Sequence, residues 1–138
     1  MAKKASTIAH GYSGKPLFQK LGLKPGMRCL LIGAPEHYLD LVSDAEGVGF
    51  HTRIQSADVV HLFFANRKRL DQSIEKALER VAEGGMLWVS WPKKSSDQFV
   101  DLTEDQLRTV ILPTGWVDVK VCAVDETLSG LKFLRRRT

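Results

Sequence analysis

At 138 residues the chain has room for one domain, which would bury about two-thirds of the surface of its unfolded state. Hydrophobic residues make up 43% and charged residues 26%, which argues against a disordered chain and against a membrane protein. The net charge of +4 favours anionic partners but is too small to indicate a nucleic-acid-binding protein.

The N-terminal segment carries no recognisable targeting signal. Basic residues follow Met1, but no apolar core or small-residue cleavage site comes after them. No apolar run reaches the roughly 20 residues needed to cross a bilayer. We therefore expect a cytoplasmic protein that makes no membrane contact, with a flexible polar lead-in over residues 1–10 and a single α/β domain over residues 11–138.

The first half of the chain alternates between helical and strand-like patterns. Met27–Gly33 is nearly continuously apolar, which is typical of a parallel strand covered on both faces. Pro35 suits the first turn of a helix, because its missing N–H needs no partner there. The elements predicted here are a short helix over Pro16–Leu21, a strand over Met27–Gly33, a helix from Pro35 to about Val42, a weaker strand over Val48–Ile54 and a strong strand over Asp58–Phe64.

The second half continues this alternation and ends in a hairpin. Asn66 is a predicted N-cap for the longest helix, and Thr103 with Gln106 forms a capping-box pattern before another helix. The elements predicted here are a helix over Arg67–Ala82 stopped by Gly84-Gly85, a strand over Gly85–Trp91, a helix from Thr103 to before Pro113, and strands Trp116–Val124 and Gly130–Arg136 joined by a turn over Asp125–Ser129.

Strands that alternate with helices imply right-handed parallel crossovers. The predicted fold class is α/β, with a mainly parallel sheet, flanking helices and a C-terminal antiparallel hairpin. This order resembles a truncated form of the Rossmann-like fold of S-adenosylmethionine-dependent methyltransferases. About one strand–helix unit is missing near residues 48–58.

Several segments carry a more specific resemblance, from about residue 11 to residue 136. They are Gly11–Gly14 with Pro16-Leu17, Lys24–Gly26, Leu87–Lys94, Val117–Glu126 and Ser129–Phe133. In these segments the chain resembles a family of short bacterial proteins of unknown function, in which tryptophan is common at the position of Leu128. The resemblance implies a truncated methyltransferase-like fold in a bacterial cytoplasm, and it implies no activity.

Ligands of open α/β sheets bind beyond the carboxyl ends of the parallel strands. The segments expected to meet there are Gly33–His37, Ala65–Arg69, Trp91–Ser96 and the hairpin turn. In the first of these, Gly33 is followed by Ala34-Pro35-Glu36 instead of further glycines. Around Arg53–Gln55, no acidic residue is present to bind a ribose. The sequence therefore predicts no standard S-adenosylmethionine site and no cofactor.

The side chains of these loops supply the candidate ligand-binding residues, which are His37, Asn66, Arg67, Trp91, Lys93, Lys94, Ser95, Asp125 and Glu126. Lys93 and Lys94 lie beside hydroxyl groups and an aromatic ring, a combination that suits a phosphate or a carboxylate. In the alternative interpretation, the two lysines are solvated or pair with Asp125 and Glu126.

Three hypotheses for the function follow. The first is a non-catalytic binding or regulatory module that holds a small anionic ligand beside Lys93 and Lys94. The second is a small enzyme of unassigned reaction that uses His37, Asp125 or Lys93, with His37 as a proton carrier or Asp125 as a general base. The third is weak nucleic-acid binding through the basic clusters Arg67–Arg69 and Arg135–Arg137, although the second cluster also suits protection of a sheet edge.

The cysteines and histidines give no metal-ligand pattern, so no metal site is predicted. Cys29 and Cys122 lie in apolar strand-like runs, which predicts two reduced, buried thiols. His61 is predicted to be a hydrogen-bonded core residue, and Trp88 a core residue rather than a cofactor platform. The sequence does not set the oligomeric state.

Overall fold

The computed structural model describes residues 15–136. Its helices are α1 (Leu17–Leu21), α2 (Tyr38–Leu41), α3 (Arg67–Leu78) and α4 (Glu104–Ile111), with a 3₁₀ turn over Leu112–Thr114. Its strands are β1 (Arg28–Ile32), β2 (Gly49–His51), β3 (Ala57–Phe63), β4 (Val81–Pro92), β5 (Trp116–Ala123) and β6 (Leu128–Arg135). Three predicted features lie outside the described residues: the lead-in over residues 1–10, the segment Gly11–Gly14 and Arg137. None of the described helices is long and apolar enough to cross a membrane.

The strands form one six-stranded sheet in the order β2-β1-β3-β4-β6-β5. Strand β1 is parallel to β2 and β3, and β4 is parallel to β3. Strand β6 is antiparallel to both β4 and β5. The predicted parallel sheet with a terminal antiparallel hairpin is confirmed. The chain leaves β1 toward β2 and then crosses to β3, so the direction of winding reverses between β1 and β3, where open α/β sheets bind ligands.

Apolar layers cover both faces of this sheet. One core cluster packs beneath α3 and α4, and the other packs beneath α1 and α2. Trp88 in the second cluster is fully buried, and its Nε1–H donates to the carbonyl oxygen of Leu21 at 3.0 Å. The interpretation of Trp88 as a core residue is therefore confirmed, and this bond ties the short helix α1 to the middle of the sheet.

Helix α3 ends earlier than its apolar periodicity predicts. Its last residue is Leu78, and β4 already begins at Val81, so the predicted helix end at Ala82 is wrong. Gly84, with φ of 77°, lies inside β4, where the register with β3 shifts. A Cβ on Gly85 would lie 2.7 Å from a backbone oxygen of β3. The two glycines therefore form a β-bulge within a strand instead of stopping a helix.

Two other elements are shorter than predicted. The helix expected from Pro35 to Val42 is only Tyr38–Leu41, and the weak strand expected over Val48–Ile54 is only Gly49–His51. Pro35 instead begins a turn, in which its carbonyl oxygen accepts the N–H of Tyr38 at 3.0 Å.

The edge-protecting role predicted for Arg135 is wrong, because β6 lies between β4 and β5 and is not an edge strand. The guanidinium of Arg135 donates to the carbonyl oxygens of Val81 and Ala82 at 3.0 and 3.2 Å. It also lies 4.7 Å from the ring centroid of Trp116. Arg135 therefore fixes the bulged start of β4 to the hairpin.

Candidate functional site

A crevice of about 270 Å³ lies at the carboxyl edge of the sheet, at the reversal between β1 and β3. Each segment predicted to meet there contributes to its wall: Pro35 after β1, Arg69 after β3, Pro92 at the end of β4 and Leu128 at the hairpin turn. The predicted meeting of these segments is confirmed. We call this cavity the edge crevice.

Gly33 shapes the wall between β1 and β3. Its φ is 78°, and a Cβ at this position would lie 2.8 Å from the carbonyl oxygen of Phe63. Only glycine therefore allows the first turn to approach the end of β3 this closely. Pro35 then separates the edge crevice from a second depression, of about 420 Å³, between the ends of β1 and β2. The turn forms a partition instead of an open glycine-rich cradle.

The residues at this edge do not fit S-adenosylmethionine in its ordinary binding mode. After β2 come Thr52 and Arg53, so the carboxylate that would bind the ribose hydroxyls is missing from that position. Asp58 belongs to the start of β3, where its Oδ2 accepts the N–H of Arg28 at 2.8 Å. Its carboxylate is thus engaged at the opposite edge of the sheet. Pro35 also supplies no N–H to a ligand.

Among the described residues that line the edge crevice, Arg69 has the only charged side chain. The guanidinium has no ion-pair partner within residues 15–136. The amide of Gln98 adds a neutral polar group, whereas the Ser90 side chain is completely buried and its hydroxyl bonds His61; the remaining lining residues are apolar. The sequence predicts Arg67 as the individual candidate of the basic cluster Arg67–Arg69, and it is Arg69 of that cluster that lines the crevice.

A buried polar network lies behind Ser90. The Ser90 hydroxyl is 2.7 Å from Nε2 of His61, and the Tyr38 hydroxyl is 3.1 Å from Nδ1. His61 is completely buried and stacks on Phe63 with a centroid distance of 4.2 Å. Burial lowers the pKa of His61 to about 3, so the imidazole is neutral at physiological pH. The interpretation of His61 as a hydrogen-bonded core residue is confirmed.

His37 and Asp125 do not line the edge crevice, but they form a hydrogen-bonded pair in the two segments that contribute Pro35 and Leu128 to its wall. Nε2 of His37 lies 2.7 Å from Oδ2 of Asp125, and the side chains are 54% and 10% exposed. The Oδ1 atom of Asp125 accepts the N–H groups of Thr127 and Leu128, each at 2.8 Å. Burial raises the pKa of the Asp125 carboxyl, but the hydrogen bonds from His37 and the two N–H groups outweigh it and hold that pKa below its ordinary value.

Asp125 thus begins the turn that the sequence predicts between the last two strands, and its side chain accepts the N–H groups of that turn. His37 and Asp125 are both predicted candidates, although no contact between them is predicted. The signal for this contact is that the loop after β1 and the hairpin turn are both predicted at the same edge of the sheet.

Lys93 and Lys94 do not line the edge crevice, which corrects their predicted placement. They line a separate depression of about 360 Å³, together with Trp91, Glu104 and Asp105. Ser90 and Pro92 of β4 line the edge crevice, whereas Trp91 lines the other depression, and Lys93 and Lys94, which follow the end of β4, lie there with it. The acidic side chains in that depression oppose the binding of an anion there. Among the ion pairs of residues 15–136, Asp125 pairs with His37 and not with Lys93 or Lys94, so that part of the alternative interpretation is wrong.

The remaining candidates have local structural contacts or lie outside the crevice. The Asn66 Oδ1 accepts the N–H of Arg69 at 3.0 Å, which confirms Asn66 as the N-cap of α3. The Arg67 guanidinium bonds Asp71 at 3.0 Å. Ser95 and Glu126 are exposed and line none of the depressions described above. Within residues 15–136, no group of three or more His, Cys, Asp or Glu side chains is placed to hold a metal ion.

Comparison with solved structures shows that the fold is that of S-adenosylmethionine-dependent methyltransferases. The DhpI complex with S-adenosylhomocysteine aligns with a TM-score of 0.57 and 13% identity, over 99% of this chain and 91% of that chain. A SAM-dependent methyltransferase from Aquifex aeolicus aligns with a TM-score of 0.56 and 15% identity, over 85% of this chain and 86% of that chain. A SAM-dependent methyltransferase from Geobacter sulfurreducens, in complex with S-adenosylhomocysteine, aligns with a TM-score of 0.54 and 13% identity, over 99% of this chain and 92% of that chain.

Sequence comparisons do not assign the chain to a family. No protein-family model matches the chain, and no curated protein matches it. The resemblance to a family of short bacterial proteins therefore stays a prediction. At these identities the structural likeness shows the fold alone.

Proposed function

We propose that the chain is a non-catalytic binding module that holds a small anion with an apolar body in the edge crevice. The observation that carries the proposal is the placement of Arg69 as the single charged side chain among the described residues of an otherwise mostly apolar wall. A guanidinium binds a carboxylate or phosphate through two parallel hydrogen bonds. Pro35, Phe63 and Leu128 provide apolar contacts for the rest of the ligand.

The size of the edge crevice limits the ligand. Its volume of about 270 Å³ lies just below the range of about 300–1,000 Å³ for drug-sized ligands. A branched or aromatic carboxylate fits that space better than a complete nucleoside-containing cofactor. Ligand pockets of this kind fix orientation with a few polar groups, and here Arg69 and Gln98 supply them.

Thermal-shift and calorimetric titrations with acetate, isovalerate, benzoate, phenyl phosphate and S-adenosylhomocysteine test the proposal. We expect benzoate or isovalerate to raise the melting temperature, because a ligand that binds only the folded state stabilises it. Arg69→Gln should weaken that binding by about tenfold or more. The matched control is Arg67→Gln, since Arg67 bonds Asp71 and does not line the crevice.

Two results would overturn the proposal. One is the absence of stabilisation by every anion tested, and the other is binding that Arg69→Gln leaves unchanged. Tight binding of S-adenosylhomocysteine that depends on Arg69 would instead assign the crevice to the cofactor.

The contact between His37 and Asp125 favours a second candidate function, a small enzyme that uses His37 as a proton carrier. Asp125 is buried and held by two backbone N–H groups, so it fixes the orientation of the imidazole. The exposed ring of His37 leaves Nδ1 available to a substrate or a water molecule. Pro35 and Leu128 line the edge crevice and belong to the same two segments as His37 and Asp125.

Small esters, offered as p-nitrophenyl substrates, test this second candidate. General-base catalysis contributes about 10²–10⁴-fold, so His37→Gln should lower any turnover to the background rate, with a smaller loss for Asp125→Asn. Turnover that survives both replacements would exclude this role for the pair. Nucleic-acid binding stays a prediction without a supporting contact, because Arg67 and Arg135 are engaged within the fold.

A further inference from the structure

A larger cleft, of about 490 Å³, lies between α3 and the link that connects β2 to β3. Its floor is formed by β1 and β3, including Leu30 and Leu62. Lys76 projects from the second half of α3, and Arg80 follows that helix. Arg53 belongs to the opposite wall. We call this cavity the flank cleft, because it extends along α3 away from the edge crevice.

The flank cleft has a topological cause. A parallel crossover normally contains a helix that covers the face of the sheet it crosses. Here the chain passes from β2 to β3, on the other side of β1, through residues 52–56 alone. Ile54 of this link packs against the core beneath α3, so the link runs over that face of β1. A strip of sheet between the link and α3 is left without a covering helix among the described residues.

The charges of the flank cleft are all positive. Arg53, Lys76 and Arg80 line it, and none of the described lining residues is acidic. Neither Arg53 nor Lys76 has an ion-pair partner within residues 15–136. One nitrogen of Arg80 donates to the carbonyl oxygen of Ile54 at 3.0 Å, which uses part of its five-donor guanidinium and leaves the rest available.

The neutral groups of the flank cleft are of two kinds. Half-buried Ile32 and Ile54 present apolar surface. Hydroxyl and amide groups come from the link and from α3, namely those of Thr52, Gln55, Gln72 and Ser73. Apolar contacts, hydrogen-bonding groups and several cations thus occur together in a volume that suits a drug-sized molecule.

We propose that the flank cleft binds a nucleoside phosphate. The base would pack on the apolar floor, the hydroxyl and amide side chains would bond the sugar and the base edge, and Lys76 with the two arginines would hold the phosphate. This site is separate from the edge crevice and does not depend on the ligand proposed there. Free nucleotides and the 5′-phosphate end of an RNA share this chemistry, and the experiment distinguishes them.

Calorimetry and NMR chemical-shift mapping with AMP, ATP, inorganic pyrophosphate and a 5′-phosphorylated tetranucleotide test the proposal. We expect AMP and ATP to bind and to shift amide signals of α3 and residues 52–55. Lys76→Gln should weaken binding by about tenfold or more, through loss of one charged hydrogen bond. Ser73→Trp, at an exposed lining position, should abolish binding by filling the cleft.

The controls are Lys68→Gln, at an exposed position of α3 outside the cleft, and Arg69→Gln, in the edge crevice. Both should leave nucleotide affinity unchanged. Tetranucleotide binding with the same Lys76 dependence, and tighter than that of AMP, would assign the phosphate to an RNA end. No nucleotide binding at millimolar concentration would overturn the proposal. Pyrophosphate binding as tight as that of ATP would also overturn it. The same holds if neither Lys76→Gln nor Ser73→Trp changes the nucleotide affinity.

Discussion

The hydroxyl of Ser90 lies 2.7 Å from Nε2 of His61, and both side chains are completely buried. Tyr38 bonds the other ring nitrogen, so each polar atom of the imidazole has a protein partner. Ser90 also lines the edge crevice. The network therefore connects the core beneath α2 to the floor of the proposed ligand site.

We expect acidification to destabilise the fold through His61. The pKa of this imidazole is about 3 in the folded state, against about 6.5 in an unfolded chain. Between these values the unfolded state binds more protons, so stability is retained above pH 6.5 and lost progressively as the pH falls toward 3. Protonation of His61 in the unfolded state should lower the free energy of unfolding by about 2 kcal/mol between pH 7 and pH 5.

Urea unfolding at several pH values measures this loss. His61→Gln retains hydrogen-bonding groups but does not titrate, so its free energy of unfolding should depend less steeply on pH over this range. An equal slope in the variant and the parent protein would show that other groups cause the acid sensitivity.

Gly33→Ala should destabilise the protein more than Gly84→Ala does. The two glycines have almost the same φ, 78° and 77°, so both substitutions carry the left-handed strain of about 1–2 kcal/mol. Only at Gly33 would the new Cβ also meet a carbonyl oxygen, that of Phe63 at 2.8 Å, whereas at Gly84 nothing lies within 4 Å. Urea unfolding of both variants measures the difference. Equal losses would contradict the close approach at the first turn.

Asp125→Ala should loosen the hairpin turn. It leaves the N–H groups of Thr127 and Leu128 without their acceptor, at a cost of about 1–3 kcal/mol. Asp125→Asn keeps the side-chain oxygen and should lose less. Hydrogen exchange at these two amides gives the local readout, and it should accelerate in the alanine variant first. Unchanged protection in that variant would mean that the turn does not depend on the carboxylate.

Most of the fold follows from local patterns in the sequence. Continuous apolar runs identify β1, β3 and the second half of β4, because parallel strands are covered on both faces. Asn66 and Asp125 reveal the start of α3 and the hairpin turn through side-chain bonds to nearby backbone. The end of α3 cannot be predicted from the sequence pattern, because Val81 continues the apolar helical spacing of α3 but pairs with Ala57 in the sheet. A tertiary contact there overrides the local periodicity.

The candidate site is predicted less completely than the fold. Its position at the carboxyl edge follows from topology, and His37 and Asp125 follow from their loops. The direction of a side chain at the end of a strand depends on the register of that strand, which composition does not supply. For that reason the prediction of Lys93 in the edge crevice is wrong. Within the cluster Arg67–Arg69, the hydrogen bond between Arg67 and Asp71 and the position of Arg69 in the crevice wall both depend on how α3 is oriented on the sheet. The flank cleft exists because the short link between β2 and β3 leaves part of the sheet face beside α3 uncovered. A sequence pattern does not reveal such an uncovered face.

Neither cysteine should react with a thiol reagent such as DTNB while the protein is folded. Cys29 is fully buried, and burial raises the pKa of its thiol to about 12. Burial also raises the pKa of Cys122, although the nearby Lys20 and Lys120 partly offset that rise. Because the thiolate is the reactive species, labelling requires opening of the structure, and Cys122, in the edge strand β5, should react before Cys29. Mass spectrometry over time gives the order, with labelling in urea as the positive control. Rapid labelling of Cys29 in the folded protein would contradict its burial in the core.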